Sequence, residues 1–176
     1  MRALSLGSAA LLITAVAAAA ADVPAPQAAV IAAAEKARSA FDEAPNDMAK
    51  GGVRAARAKA ICAAVPKLTA KDWIGEVDTL SSNGDGWGIL YINIGPDISV
   101  RTYNNAFSDA GSNTLIDPSS DVFAVASTLS VGQKVRFSGR FFKAKADCIK
   151  EMSLTQSGSI EEPAFLIRYS DVAPLD

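Results

Sequence analysis

Residues 87–104 read Trp87-Gly88-Ile89-Leu90-Tyr91-Ile92-Asn93-Ile94-Gly95-Pro96-Asp97-Ile98-Ser99-Val100-Arg101-Thr102-Tyr103-Asn104. Two alternating runs flank a Gly-Pro-Asp turn. Leu90, Ile92 and Ile94 share one face of the first run, and Ile98, Val100 and Thr102 share one face of the second. If the turn pairs Ile94 with Ile98, then Ile92 meets Val100 and Leu90 meets Thr102. The apolar faces then coincide without forcing the register, so the segment reads as a hairpin half-buried against a core.

Outward from this hairpin the alternation continues. Asp72–Leu80 reads as a preceding strand, and Gly75 at its middle suggests a sharp bend, as at a barrel corner. Ser81-Ser82-Asn83-Gly84-Asp85-Gly86 is a turn cluster between the two. After the hairpin comes a polar stretch, Asn104–Asn113, and then a short helix over Asp121–Leu129 that Ser119 or Ser120 can cap. Lys134–Phe142 is a fourth strand, with Val135, Phe137, Gly139 and Phe141 on one face. Ile149–Thr155 is a candidate short strand, and Gln156–Pro163 reads as a loop. Ala164–Val172 is the last strand, its Phe165, Ile167 and Tyr169 alternating with Arg168 and Ser170.

Three strands, a short helix and two or three more strands follow the order of the OB-fold, a partly open Greek-key barrel. Leu129-Ser130-Val131-Gly132-Gln133-Lys134-Val135-Arg136-Phe137-Ser138-Gly139 resembles the helix-to-fourth-strand segment of bacterial OB-fold proteins of the tRNA-anticodon-like type. Trp73-Ile74-Gly75-Glu76-Val77 resembles their opening strand. The resemblance spans Thr69 to Val172. It implies a five- to six-stranded Greek-key barrel, with an SH3-like barrel as the alternative. Exported members of that group are mostly of unknown function, and some resemble binders of cell-envelope ligands. No functional residue of the group maps onto this chain.

OB-folds commonly bind oligosaccharides and oligonucleotides on the outer surface of the second and third strands. With Leu90, Ile92, Ile98 and Val100 pointing inward, Tyr91 and Asn93 lie outside on one strand and Ser99, Arg101 and Tyr103 outside on the next. Tyr91 then faces Arg101, and Asn93 faces Ser99. Two tyrosines beside an arginine can stack a ring and hold an anionic group. Tyr91, Asn93, Arg101 and Tyr103 are therefore the candidate ligand-binding residues. Two competing readings stand beside this one. Tyr91 and Arg101 form a cross-strand pair and nothing more, or the N-terminal helices cover the face.

Before the barrel the chain is helical. Gln27–Phe41 is rich in Ala, with Val30, Ala34, Ala37 and Phe41 at helical spacing. Asn46 is a candidate cap for a second helix running to about Ala64, in which Ala58, Ile61, Cys62 and Val65 share a face. That face would turn Cys62 toward packed protein. Lys50, Arg54, Arg57 and Lys59 make the helix basic. The favoured reading is a solvated helix face resting against the acidic barrel, and the alternative is a patch for anionic lipid, glycan or peptidoglycan. The division expected is 1–21 as a signal peptide, 22–68 as a helical appendage, 69–173 as the barrel and 174–176 as a tail.

The signal peptide rests on Arg2, the apolar run Ala9–Ala21 and the small residues Ala19-Ala20-Ala21, with cleavage after Ala21. No later segment is long and apolar enough to span a membrane, so a periplasmic or secreted location is expected. There are two cysteines and no histidine. In an oxidising compartment Cys62 and Cys148 are expected to pair. Absence of histidine removes Ser-His-Asp and Cys-His catalysis and the usual zinc sets, so no metal or other cofactor is expected. Net charge is +3 from Asp22 to Lys71 and −6 from Asp72 to Asp176, a poor match for a phosphate backbone.

Two motifs fail on inspection. Asn83-Gly84-Asp85-Gly86 has the look of a calcium loop, but counted from Ser81 the first and twelfth places hold Ser81 and Ile92. Glu161-Glu162 are adjacent on an extended chain and point apart, so they are no natural carboxylate pair for glycoside hydrolysis. The function expected is a non-catalytic exported OB-fold module for an envelope glycan, a peptidoglycan-type ligand or a protein partner. The alternatives are an envelope hydrolase using carboxylates and an assembly protein docking through its helical arm.

Overall fold

The structure, a computed structural model, describes residues 22–175. The signal-peptide assignment at 1–21 lies outside the described residues. Two helices, α1 (Ala25–Asp42) and α2 (Asp47–Ala64), precede the strands β1 (Thr69–Ser82), β2 (Gly88–Gly95) and β3 (Ile98–Arg101). Two short helices follow, α3 (Ala106–Asp109) and α4 (Asp121–Ala126), and then β4 (Lys134–Phe141). A two-stranded ribbon, β5 (Lys143–Ala144) and β6 (Cys148–Ile149), and helix α5 (Gln156–Glu161) lead to β7 (Ala164–Pro174). Five strands close into a barrel in the order β1-β2-β3-β7-β4, with β4 returning to β1. All neighbours are antiparallel except β3 and β7, which run parallel. This is the OB-fold-like Greek-key barrel with a helical appendage that the strand order led us to expect.

The inward faces are those the alternation picked out. Leu90, Ile92, Ile98, Val100, Val135, Phe137, Phe165 and Ile167 are buried in one cluster. Burying each such side chain contributes about 1.5–3 kcal/mol. Trp73 lies edge-on to Phe137 with ring centroids 6.4 Å apart, and Phe137 lies edge-on to Tyr169 at 5.7 Å. The Tyr169 hydroxyl, buried, donates to Val100 O at 3.1 Å. Burial holds this phenol well above its usual pKa.

Two glycines are required by close approach. A Cβ on Gly75 would lie 2.5 Å from Asn93 O and against Ile92 Cγ2, and one on Gly139 would lie 2.6 Å from Arg168 O. Gly75 thus lets β1 bend between its two partners, pairing with Val135 of β4 just before Glu76 pairs with Asn93 of β2.

Three local expectations are corrected. Gly95, not Ile94, sits opposite Ile98, and the ladder shifts between Asn93 and Gly95. Asp97 adopts a left-handed φ of 55°, which closes a two-residue Pro96-Asp97 turn and leaves Ile94 as the extra residue. The polar stretch Asn104–Asn113 contains α3, and the loop Gln156–Pro163 contains α5. Both are too short to show a helical period. Each begins at a side-chain cap, Asn105 accepting from Ser108 N at 2.8 Å and Thr155 accepting from Gly158 N at 3.1 Å.

The helical appendage shares the barrel's core. Val30, Ala34, Ile61 and Val65 belong to the same buried cluster as Trp73 and Phe137. Gln27 bridges α1 to β1, its amide donating to Ile74 O at 2.5 Å and accepting from Ile74 N at 2.8 Å. Asn46 caps α2 as expected, accepting from Ala49 N at 3.0 Å. The reading of α2 as a basic face against the acidic barrel holds, and Lys59 is exposed, but its solvation is corrected at Arg54 and Arg57. Arg54 reaches Asp147 through two hydrogen bonds of 2.7 and 2.5 Å. The Arg57 side chain is 0% exposed and engages Asp147, Glu151 and Ser159 O. Burial works to raise the Asp147 carboxyl, but Arg54 and Arg57 hold it below the usual carboxylate range. Glu151 goes the other way. Its side chain is 3% exposed, and burial pushes its carboxyl up to about 7 against the pull of Arg57.

Next to this cluster the Cys62 and Cys148 sulfurs lie at bonding distance, 2.02 Å, with Cα atoms 5.6 Å apart. The bond ties α2 to β6. Cys148 is buried, but Cys62 itself is exposed, contrary to the expected orientation. Arg57, Ile61 and Val65 define the inward face of α2, and Cys62 sits one residue around from it.

Candidate functional site

The candidate residues lie on the outer surface of β2 and β3. Tyr91 faces Arg101 and Asn93 faces Ser99, as the sequence register required. The Arg101 guanidinium carbon is 4.9 Å from the Tyr91 ring centroid. Its Nε donates to Ser99 Oγ at 2.7 Å, which fixes the guanidinium over the sheet. Ser99 is on the outer side but is 2% exposed, so it supports Arg101 and is not part of the open surface. Tyr103 does not join Arg101. Its backbone N donates to Thr114 Oγ1 at 2.8 Å, and its ring carries Lys150 Nζ at 5.4 Å. Asn93 is exposed and donates from Nδ2 to Asp78 Oδ1 at 3.4 Å, toward β1 and away from the cations.

The surface is larger than the sequence indicated. Arg101 pairs with Leu166 on β7, and Leu166 N donates to Lys150 O at 2.8 Å. Arg168, two residues along the same face of β7, lies 5.5 Å from the Phe142 ring centroid and donates to Ser112 O. Arg140 of β4 stands opposite Arg168 and is exposed. Three cation–aromatic pairs thus run from β2 to the end of β4: Arg101 of β3 on Tyr91 of β2, Lys150 on Tyr103 just past β3, and Arg168 of β7 on Phe142 just past β4. Neighbouring strands are about 4.8 Å apart, so the row spans roughly 10–15 Å. The net acidic barrel places three of its nine Lys and Arg residues in this row. Each is held near an aromatic ring and keeps its charge at the surface, which suits anionic groups spaced along an extended ligand.

Arg168 was visible as an outward residue of the last strand. What alternation cannot give is the order that sets β7 beside β3. Lys150 falls within the candidate strand Ile149–Thr155, but β6 ends at Ile149, and no alternation over 149–155 sets which way Lys150 faces.

The N-terminal helices leave this face accessible. Helix α1 bonds to the barrel at Ile74 and at the β2–β3 turn, where Arg38 donates to Pro96 O at 3.3 Å and pairs with Asp97, and α2 bonds to the β4–β7 connection through Arg54, Arg57 and the Cys62–Cys148 pair. Among the described residues, no hydrogen bond or ion pair joins 27–64 to Tyr91, Asn93, Arg101 or Tyr103. Tyr91, Arg101 and Tyr103 are half-buried by their own neighbours.

The carboxylates are arranged differently. Glu151 has the proton affinity of a general acid, but it is sealed against Arg57. Glu161 and Glu162 are exposed at the end of α5. Among the described residues no group of three or more His, Cys, Asp or Glu side chains is placed to hold a metal ion, and no helix is long and apolar enough to cross a membrane. No protein-family model, curated protein or solved structure matches the chain.

Proposed function

We propose that the protein is an exported, non-catalytic binding module for an anionic cell-envelope glycan, of peptidoglycan type, held on the outer face of β2, β3 and β7. The row of Arg101–Tyr91, Lys150–Tyr103 and Arg168–Phe142 carries this reading. Rings supply stacking surfaces for sugars, and cations fixed beside them supply carboxylate or phosphate contacts. The Ala9–Ala21 apolar run and the Cys62–Cys148 pair support an oxidising compartment outside the cytoplasm. The resemblance of Leu129–Gly139 to exported OB-fold proteins supports the same assignment. A cation-lined aromatic face also suits single-stranded nucleic acid, and the proposed compartment decides between the two.

The test is a thermal-shift screen of the oxidised protein against soluble peptidoglycan fragments, polygalacturonate and a single-stranded oligonucleotide. A ligand present at about 100 times its Kd stabilises the folded state by about 2.7 kcal/mol. For a domain of this size that raises Tm by about 5–10 °C. We expect the shift with an anionic glycan. A shift with the oligonucleotide alone, or with none of the three, overturns the proposal.

A further inference from the structure

We propose that a second site, the cleft between the β1–β2 loop and α3, binds an uncharged pyranose ring stacked on Trp87. The cleft measures about 310 Å³, the lower end of the range for small-ligand sites. Its lining shares no residue with the cation-bearing face. Asn83, Asp85, Trp87, Asp109, Asn113 and Leu115 contribute, with two alanines of the α3 segment as apolar wall.

The local chemistry points to a sugar. Trp87 is 39% exposed, whereas the other tryptophan, Trp73, is 1% exposed and occupied in the core. Its backbone is anchored, because Asn83 Oδ1 accepts from Trp87 N at 2.9 Å and from Asp85 N at 3.0 Å. Asp109 is committed to the scaffold, its carboxylate accepting from Thr114 N and Oγ1 at 2.7 Å and from Leu115 N at 3.1 Å. This makes one wall rigid. Asp85 and Asn113 are exposed, and among the described residues their side chains make no hydrogen bond. An indole offers its face to the C–H side of a pyranose. A carboxylate accepts two hydroxyls at the ring edge, and an amide both donates and accepts. No Lys or Arg lines the cleft, and Asp85 disfavours an anion, so the ring is a neutral one.

The experiment titrates the oxidised protein with chitotriose, cellotriose and maltotriose, following tryptophan emission and, in parallel, heat by calorimetry. We expect saturable binding of at least one, with a change in emission from Trp87. The affinity should be unchanged between about 50 and 500 mM salt, because no ion pair forms. Trp87→Ala, checked for fold by circular dichroism, should weaken binding fivefold or more, and Asn113→Ala should weaken it measurably. Failure of all three sugars to bind saturably overturns the proposal. So does a Trp87→Ala affinity within fivefold of wild type, or an affinity that falls steeply with salt. Binding of anionic glycan to the other face does not enter these readouts, so the two proposals fail separately.

Discussion

Replacing Glu151 with glutamine should flatten the stability of this protein between about pH 5 and pH 8. The Glu151 carboxyl titrates at about 7 in the folded protein, against an ordinary value of 4.5. The folded state therefore binds its proton more tightly than the unfolded chain does, and stability falls as pH rises from the unfolded value through the folded one. Over this window the loss amounts to about 2–3 kcal/mol. Little else interferes. The chain has no histidine. Asp147 is held below the usual carboxylate range, so its contribution is lost only in stronger acid, and Tyr169 is raised, so it acts only in alkali. A change of this size moves Tm by about 5–10 °C for a domain of this length. Calorimetric melts of the oxidised protein at half-unit pH steps should show wild type most stable near the acid end. Glu151→Gln should show a nearly level profile, because glutamine does not titrate. A flat wild-type profile, or a slope that survives in Glu151→Gln, would refute the account of the Arg57–Glu151 pair.

Removing the bond by Cys62→Ala with Cys148→Ala should cost about 4–5 kcal/mol by loop entropy, read as a lower denaturation midpoint of the double variant. Arg57→Met leaves Glu151 and Asp147 with one cation fewer in a buried site and should cost about 3–5 kcal/mol by chemical denaturation. Gly75→Ala places a methyl group against Asn93 O and Ile92, and the strain should cost about 1–3 kcal/mol in the same assay, with loss of near-ultraviolet ellipticity from Trp73. Mass spectrometry of the natively produced protein should find Asp22 as the first residue, and an intact Met1 in a cytoplasmic fraction would contradict export.

The barrel was legible because period-2 spacing of apolar residues marks one inward face on β2, β3, β4 and β7, although β7 opens with four consecutive buried residues and the buried Ala70, Trp73 and Val77 of β1 are spaced three and four apart. Leu90–Ile92, Ile98–Val100, Val135–Phe141 and Phe165–Tyr169 carry their burial in the spacing of their residues. Helix α2 was legible as a helix but not as a face. Arg54 and Arg57 look solvated until the β4–β7 connection supplies Asp147 and Glu151, which are about 90 positions away in sequence. Of the candidate site, Tyr91 and Arg101 were legible because a hairpin is local. Arg168 comes near Arg101 because β7 pairs parallel with β3, and Phe142 and Lys150 arrive through the β4–β7 connection, non-local contacts that no window of sequence contains. Trp87 could be read as a residue next to a turn. Its cleft needs α3, whose four residues are set by the Asn105 cap and the Asp109 carboxylate.

The central claim is that the Arg101, Lys150 and Arg168 row holds an anionic glycan. The direct measurement is calorimetric titration of soluble peptidoglycan fragments into wild type and into Arg101→Ala/Lys150→Ala/Arg168→Ala, each confirmed as folded by circular dichroism. The account predicts saturable wild-type binding that weakens as salt rises, and at least a tenfold weaker triple variant, a difference of about 1.4 kcal/mol or more. Equal affinities for the two proteins, with the same salt dependence, would contradict it.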